Sequence, residues 1–147
     1  MTTNEASIKF KIDAKTITKL CREKYVLNAY KNRIWIIPDD TKVIMDKQSI
    51  LYVLWQIINL KNNLNYAAAH KYIDTIDKTK ECLNYFVNMG FITKFDEQTK
   101  SIDKMLMSTM LTSSGMDLLF DLKGYKSNIT KCLFKNFSII TITGVSL

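Results

Sequence analysis

Side chains with reactive chemistry are few and scattered along the chain. His70 is the sole histidine. It lies in an alanine-rich stretch, and no serine or cysteine with a carboxylate is spaced to form a nucleophile–base set around it. Asp39 and Asp40 are adjacent carboxylates, but after Pro38 they read as turn formers. Gly90, Gly115, Gly124 and Gly144 stand singly, so no glycine-rich phosphate loop results. Cys21, Cys82 and Cys132 are odd in number and lack CxxC or Cys/His spacing. Buried thiols in a reducing cytoplasm are expected rather than disulfides or a zinc site. Cys21, beside Arg22 and Lys24, is the one candidate for a redox switch, because a reactive thiolate needs electropositive surroundings. The expectation is no enzyme, no cofactor and no metal.

Binding chemistry is better represented. Residues 76–89 read as a helix whose apolar side is Thr79, Leu83, Phe86 and Met89. Its outward positions are then Asp77, Lys78, Glu81, Asn84, Tyr85 and Asn88, with Lys80 adding charge. Asn makes paired hydrogen bonds to adenine edges, and Lys reaches guanine or phosphate. Beyond it, Lys94, Lys100 and Lys104 stand where phosphate oxygens can be held without base readout. Asp77 and Glu81 oppose a phosphate, so a protein is the alternative partner for this face.

These positions depend on the elements around them. Asp46 is placed to cap a helix over 47–61, with Ile50, Leu51, Leu54, Ile57 and Ile58 on one wide face. A short helix over 65–73 follows, with Ala67, Ala68 and Ala69 permitting close approach. Thr75 caps the 76–89 helix, and Gly90 ends it in the left-handed conformation. FITKF (91–95) alternates as a strand, DEQTK (96–100) is a turn, and SIDKMLMS (101–108) runs back as its partner. A helix restarts at 111–122 behind Thr112 or Ser113. Upstream, SIKFKI (7–12) reads as a strand, 14–27 as an amphipathic helix, and 31–45 as two strands around Pro38-Asp39-Asp40. The C-terminal FSIITITGV (137–145) is rich in β-branched residues.

The chain has 147 residues, 47% hydrophobic and 24% charged, enough for one domain with a substantial core. The division expected is a single domain over 1–147, with a core at 46–122 and an N-terminal extension over 1–45. Net charge is +7, spread along the chain rather than gathered in a tail. A basic balance is compatible with nucleic acid without requiring it. The polar start MTTNEASIKFKID has no signal-peptide pattern, and ILYVLWQIINL (50–60) is too short to span a bilayer. A cytoplasmic protein without membrane contact is expected.

Helix, turn, helix, glycine and strand over NYAAAHKYIDTIDKTKECLNYFVNMGFI (65–92) resemble the winged helix-turn-helix. The stretch GFITKFDEQTKSIDKMLMSTMLTSSGMDLL is similar to MarR-type regulators. There a strand, a charged wing and a returning strand lead into a pattern matched by Leu111, Thr112, Gly115, Leu118 and Leu119. The flanks RIWIIPDDTKVIMDKQSILYVL and IITITGVSL resemble OmpR- or ToxR-type domains more weakly. The resemblance implies an α+β fold with three helices and a β-hairpin wing, plus an additional N-terminal helix and short strands. It implies a small transcription regulator that lays the 76–89 helix in the major groove of double-stranded DNA. In that use Lys78, Lys80, Asn84, Tyr85 and Asn88 read the groove, while Lys94, Lys100 and Lys104 form the wing contacts. Two half-sites would suit a homodimer. The long C-terminal dimerisation helix of the MarR type has no counterpart, since 112–123 is short. The alternative is a winged helix used only for protein contact, as a subunit or inhibitor of a larger complex.

Overall fold

Two local caps at the start of the chain override the strand pattern of SIKFKI. The Thr2 hydroxyl accepts from the Glu5 amide at 3.2 Å, and the Glu5 carboxylate accepts from the Thr2 amide at 3.1 Å. This reciprocal capping box launches helix α1, Thr3–Phe10, which ends with Lys11 in the left-handed conformation. Alternation at 7–12 is therefore coincidental, and the expected strand is a helix. Asp13 caps α2, Ala14–Arg22, by accepting from the Lys15 amide at 3.1 Å. Ile17, Leu20 and Cys21 form its buried side.

The expected 14–27 helix is shorter because a Schellman turn closes it. Tyr25 N–H donates to the Leu20 carbonyl at 2.9 Å and Lys24 N–H to Cys21 at 3.1 Å, with Lys24 at a φ of 66°. An antiparallel hairpin follows, β1 Tyr30–Asn32 and β2 Ile34–Ile36, in the register Tyr30↔Ile36, Lys31↔Trp35 and Asn32↔Ile34. It reverses at Arg33, at a φ of 64°, and not at Pro38 as the sequence suggests. The Pro38 turn exists, closed by Thr41 N–H to Pro38 O at 3.1 Å, but it lies after the hairpin. Ile37, just before it, donates its amide to the Met1 carbonyl instead of extending a ladder toward 41–45.

The computed structural model describes residues 1–61 and 70–120. The chain divides into two compact units, Met1–Lys47 and a second beginning at Gln48. In the first, Ala6, Ile17, Leu20, Cys21, Val26, Ile37 and Ile44 make a core of their own, with Phe10 and Trp35 packed against it. What reads as an extension in the sequence thus has its own hydrophobic centre.

Helix α3 spans Lys47–Lys61, the limits its periodicity predicts, and all of it beyond Lys47 belongs to the second unit. Its buried residues run almost all round, from Ser49 through Asn59, so the helix is a central element rather than a surface one. The expected 65–73 helix lies partly outside the described residues. Its described end, 70–73, is a turn closed by Ile73 N–H to His70 O at 2.9 Å. Helix α4, Ile76–Met89, is followed by α5, Ile102–Met107, and α6, Ser113–Phe120. Among the described residues the class is α+β, with six helices and one two-stranded antiparallel sheet. The C-terminal β-rich segment and Cys132 lie outside the described residues.

Candidate nucleic-acid interface

Thr75 caps α4 by accepting from the Lys78 amide at 3.1 Å, and Gly90, at a φ of 81°, ends it. The end is a second Schellman turn: Gly90 N–H reaches Val87 O at 3.1 Å and Phe91 N–H reaches Phe86 O at 2.9 Å. The apolar contact that accompanies such turns is present, with the Phe86 and Phe91 rings 5.9 Å apart, edge to face. The chain then enters a short antiparallel pairing with no intervening loop. Ile92 bridges Leu111, Thr93 N–H donates to Met110 O at 2.9 Å, and Thr112 N–H to Phe91 O at 3.0 Å.

Thr112 and Gly115 lock α6 onto this corner. The Thr112 hydroxyl donates to the Gly90 carbonyl and accepts from the Gly115 amide. A β-carbon at Gly115 would stand 2.3 Å from the Phe91 carbonyl oxygen, so only glycine permits this approach. The threonine-to-glycine spacing thus has a mechanical basis: one residue caps the helix and the other lets it touch backbone.

The segment enclosed by this pairing departs from expectation. No β-hairpin spans 94–104. Ser101 accepts from the Lys104 amide at 3.3 Å and starts α5, which buries Met105 and Leu106 and packs against α4. Ile102, Met105 and Leu106 are spaced three and four apart, which is helical periodicity, and the returning strand 101–108 is accordingly replaced. Lys94 and Lys100 sit exposed on a loop ordered by Asp96, whose carboxylate accepts from Gln98 N–H at 2.9 Å. Lys104 is exposed on α5.

On α4 the expected face is mixed. Asn88 and Lys78 are exposed, and Asn84 and Lys80 are half-buried. Tyr85 is not outward: it is 3% exposed and 5.9 Å from the Phe86 ring. Thr79, Cys82, Leu83, Tyr85 and Phe86 are all buried, so the apolar side is wider than the stripe read from sequence and takes in Tyr85. Lys78 pairs with Asp74 at 3.2 Å, in the exposed setting where such pairs contribute little. The carboxylate still lowers the charge this lysine offers a phosphate. Between His70 and Lys104, six lysines face six carboxylates, so the region carries no net charge.

The two described thiols and the histidine sit in packed surroundings. Cys21 is buried and desolvation raises its pKa. The same effect pushes Cys82 far above the ordinary thiol range. Neither has the depressed pKa of a reactive cysteine. His70 stacks on Tyr52 and Tyr72, with centroids 5.0 and 5.4 Å away, and its Nδ1 accepts from the Tyr72 amide at 3.3 Å. Among the described residues, no three His, Cys, Asp or Glu side chains cluster for a metal, and no helix is long and apolar enough to cross a membrane.

The first unit holds a larger surplus of positive charge. Residues 1–47 hold ten basic and six acidic side chains. On α2, Lys15, Lys19 and Arg22 fall at steps of four and three residues, all exposed, opposite the buried Ile17, Leu20 and Cys21. That spacing was present in the sequence, but charge summed over whole segments conceals it. Comparison with protein-family models, curated proteins and solved structures returned no match to this chain.

Proposed function

We propose that this chain is a small DNA-binding transcription regulator of the winged-helix kind, working as a dimer on two half-sites. The observation that carries this reading is the corner at Gly90. A capped helix passes through one left-handed glycine into an antiparallel pairing, which closes on the next helix through Thr112. In a winged helix that corner sets the reading helix and the wing side by side. Asn84 and Asn88 of α4 offer amide groups to adenine edges, with Lys78 and Lys80 alongside. Lys94, Lys100 and Lys104 hold phosphates, from a wing that contains α5 instead of a flat hairpin.

The charge balance of 70–104 favours a second reading, in which the same corner docks a protein and no DNA. Titration against labelled duplexes at 50 and 200 mM salt separates the two. Regulator function requires binding that weakens steeply with salt, because phosphate contacts release counterions. Absence of binding at the lower salt leaves the protein-contact reading. With a preferred sequence selected from random duplexes, Asn84→Ala or Asn88→Ala should lose about 1–3 kcal/mol of discrimination at one base position. Lys94→Ala with Lys104→Ala should weaken all sequences alike.

A further inference from the structure

We propose that the N-terminal unit carries a single-stranded nucleic-acid site, with α2 as the phosphate track and the pocket beside Trp35 as the base platform. This surface is built from residues of the first unit and none of α4, and the inference stands whether or not α4 reads a duplex.

The track is a consequence of helical geometry. Lys15, Lys19 and Arg22 occupy one line on α2, spanning roughly 10 Å along its axis. No acidic residue lies within the helix. The two carboxylates that flank it are engaged: Asp13 caps the first turn, and Glu23 pairs with Lys47 at 3.4 Å. Lys15, Lys19 and Arg22 form no ion pair among the described residues. Three uncompensated cations in a row attract a polyanion and lose little on meeting it, since no internal partner must be displaced.

The line leads to a pocket. Its volume is about 430 Å3, and Arg22, Lys24, Lys31, Tyr30 and Trp35 are among its lining residues. Lys31 and Trp35 are directly opposed in the hairpin, so they share a face. Trp35 is half-buried, fixed by packing on the unit's core yet still accessible, and Tyr30 is 57% exposed. An anchored indole beside cations is the arrangement on which an unpaired base stacks while its phosphate is neutralised. A duplex keeps its bases stacked on each other and offers none to this pocket, which is why a single strand is the favoured occupant. An acidic peptide would satisfy the cations but leave the indole unused.

The full chain contains its own reporter. Trp55 is 1% exposed and out of a ligand's reach, so quenching by direct stacking reports Trp35, and the Trp35→Phe variant should abolish it. Titration with a 15-nucleotide oligothymidylate should quench that emission. It should bind more tightly than a duplex of equal length or polyglutamate, and an RNA arm separates the two strand chemistries. Lys15→Gln/Lys19→Gln/Arg22→Gln should weaken oligothymidylate by about tenfold or more and lower the log-salt slope by about 2. Removing the same amount of charge at Lys11, Lys42 and Lys71 should change affinity by less than about twofold, which excludes a bulk-charge effect. Circular dichroism checks that each variant is folded. Saturating binding without a tryptophan change, equal binding of polyglutamate or duplex, or equal losses in the two triple variants would each overturn the site. Loss of duplex binding alone would count against α4 and leave this site intact.

Discussion

At Gly115 a methyl group would have to occupy space already filled by the Phe91 carbonyl oxygen, 2.3 Å from the β-carbon position. Backbone cannot rotate aside as a long side chain can. Gly115→Ala should therefore cost about 1–3 kcal/mol, read as a fall in the urea midpoint. Gly90 is constrained differently. A β-carbon there meets no atom within 4 Å, but the residue holds a φ of 81°. Gly90→Ala should cost about 1–2 kcal/mol from conformation alone, and Gly90→Asn less, because Asn tolerates the left-handed region. If Gly115→Ala is neutral and the alanine at 90 is not, the packed corner is wrong. Gly90 was legible in sequence as a helix stop. Gly115 was visible only as part of a resemblance, because no local rule reports which distant carbonyl a helix will touch.

Helix limits were legible where caps and periodicity agreed. Thr75 and Gly90 bracket α4, and the apolar face of ILYVLWQII marks α3. They failed where two patterns competed. SIKFKI alternates like a strand, yet the Thr2–Glu5 capping box lies just upstream and governs the segment. SIDKMLMS satisfies alternation loosely, but Ser101 as a cap and Met105 and Leu106 as adjacent buried residues make it α5. Tyr85 was misplaced for a related reason: the apolar arc of a helix packed on several sides is broader than one stripe. The expected reading residues therefore share α4 but not one exposed side, with Asn84, Asn88, Lys78 and Lys80 reaching or nearing the surface and Tyr85 buried. The Thr75 cap offers a direct test at this scale. Thr75→Ala removes the acceptor for Lys78 N–H and should lower stability by about 1 kcal/mol, with a matching loss in protection of the first-turn amides of α4 in hydrogen exchange. Unchanged exchange in that turn would show that packing alone holds it.

Across the whole molecule, each unit carries one tryptophan, Trp35 in the first and Trp55 in the second. Small units bury a smaller fraction of their apolar surface and are correspondingly marginal. The first, with a core of seven buried residues, should lose structure at lower denaturant than the second. Trp35→Phe leaves Trp55 as the only tryptophan reporter, and Trp55→Phe leaves Trp35. The Trp35 midpoint should lie below that of Trp55, and coincident midpoints would mean one cooperative block. The distribution of charge also belongs to this scale. A net +7 was legible from composition, but where it is free to act depends on its partners, local for Lys78 with Asp74 and tertiary for Lys47 with Glu23. The pairing of Ile92 with Leu111 has a consequence for diversification. It clamps both ends of the 94–109 excursion, and lengthening a clamped loop costs only about 0.6 kcal/mol per doubling. Within it the exposed turn at 96–98 can lengthen at that cost, while Met105 and Leu106 stay buried on α5 and the glycine-and-threonine clasp beneath is kept.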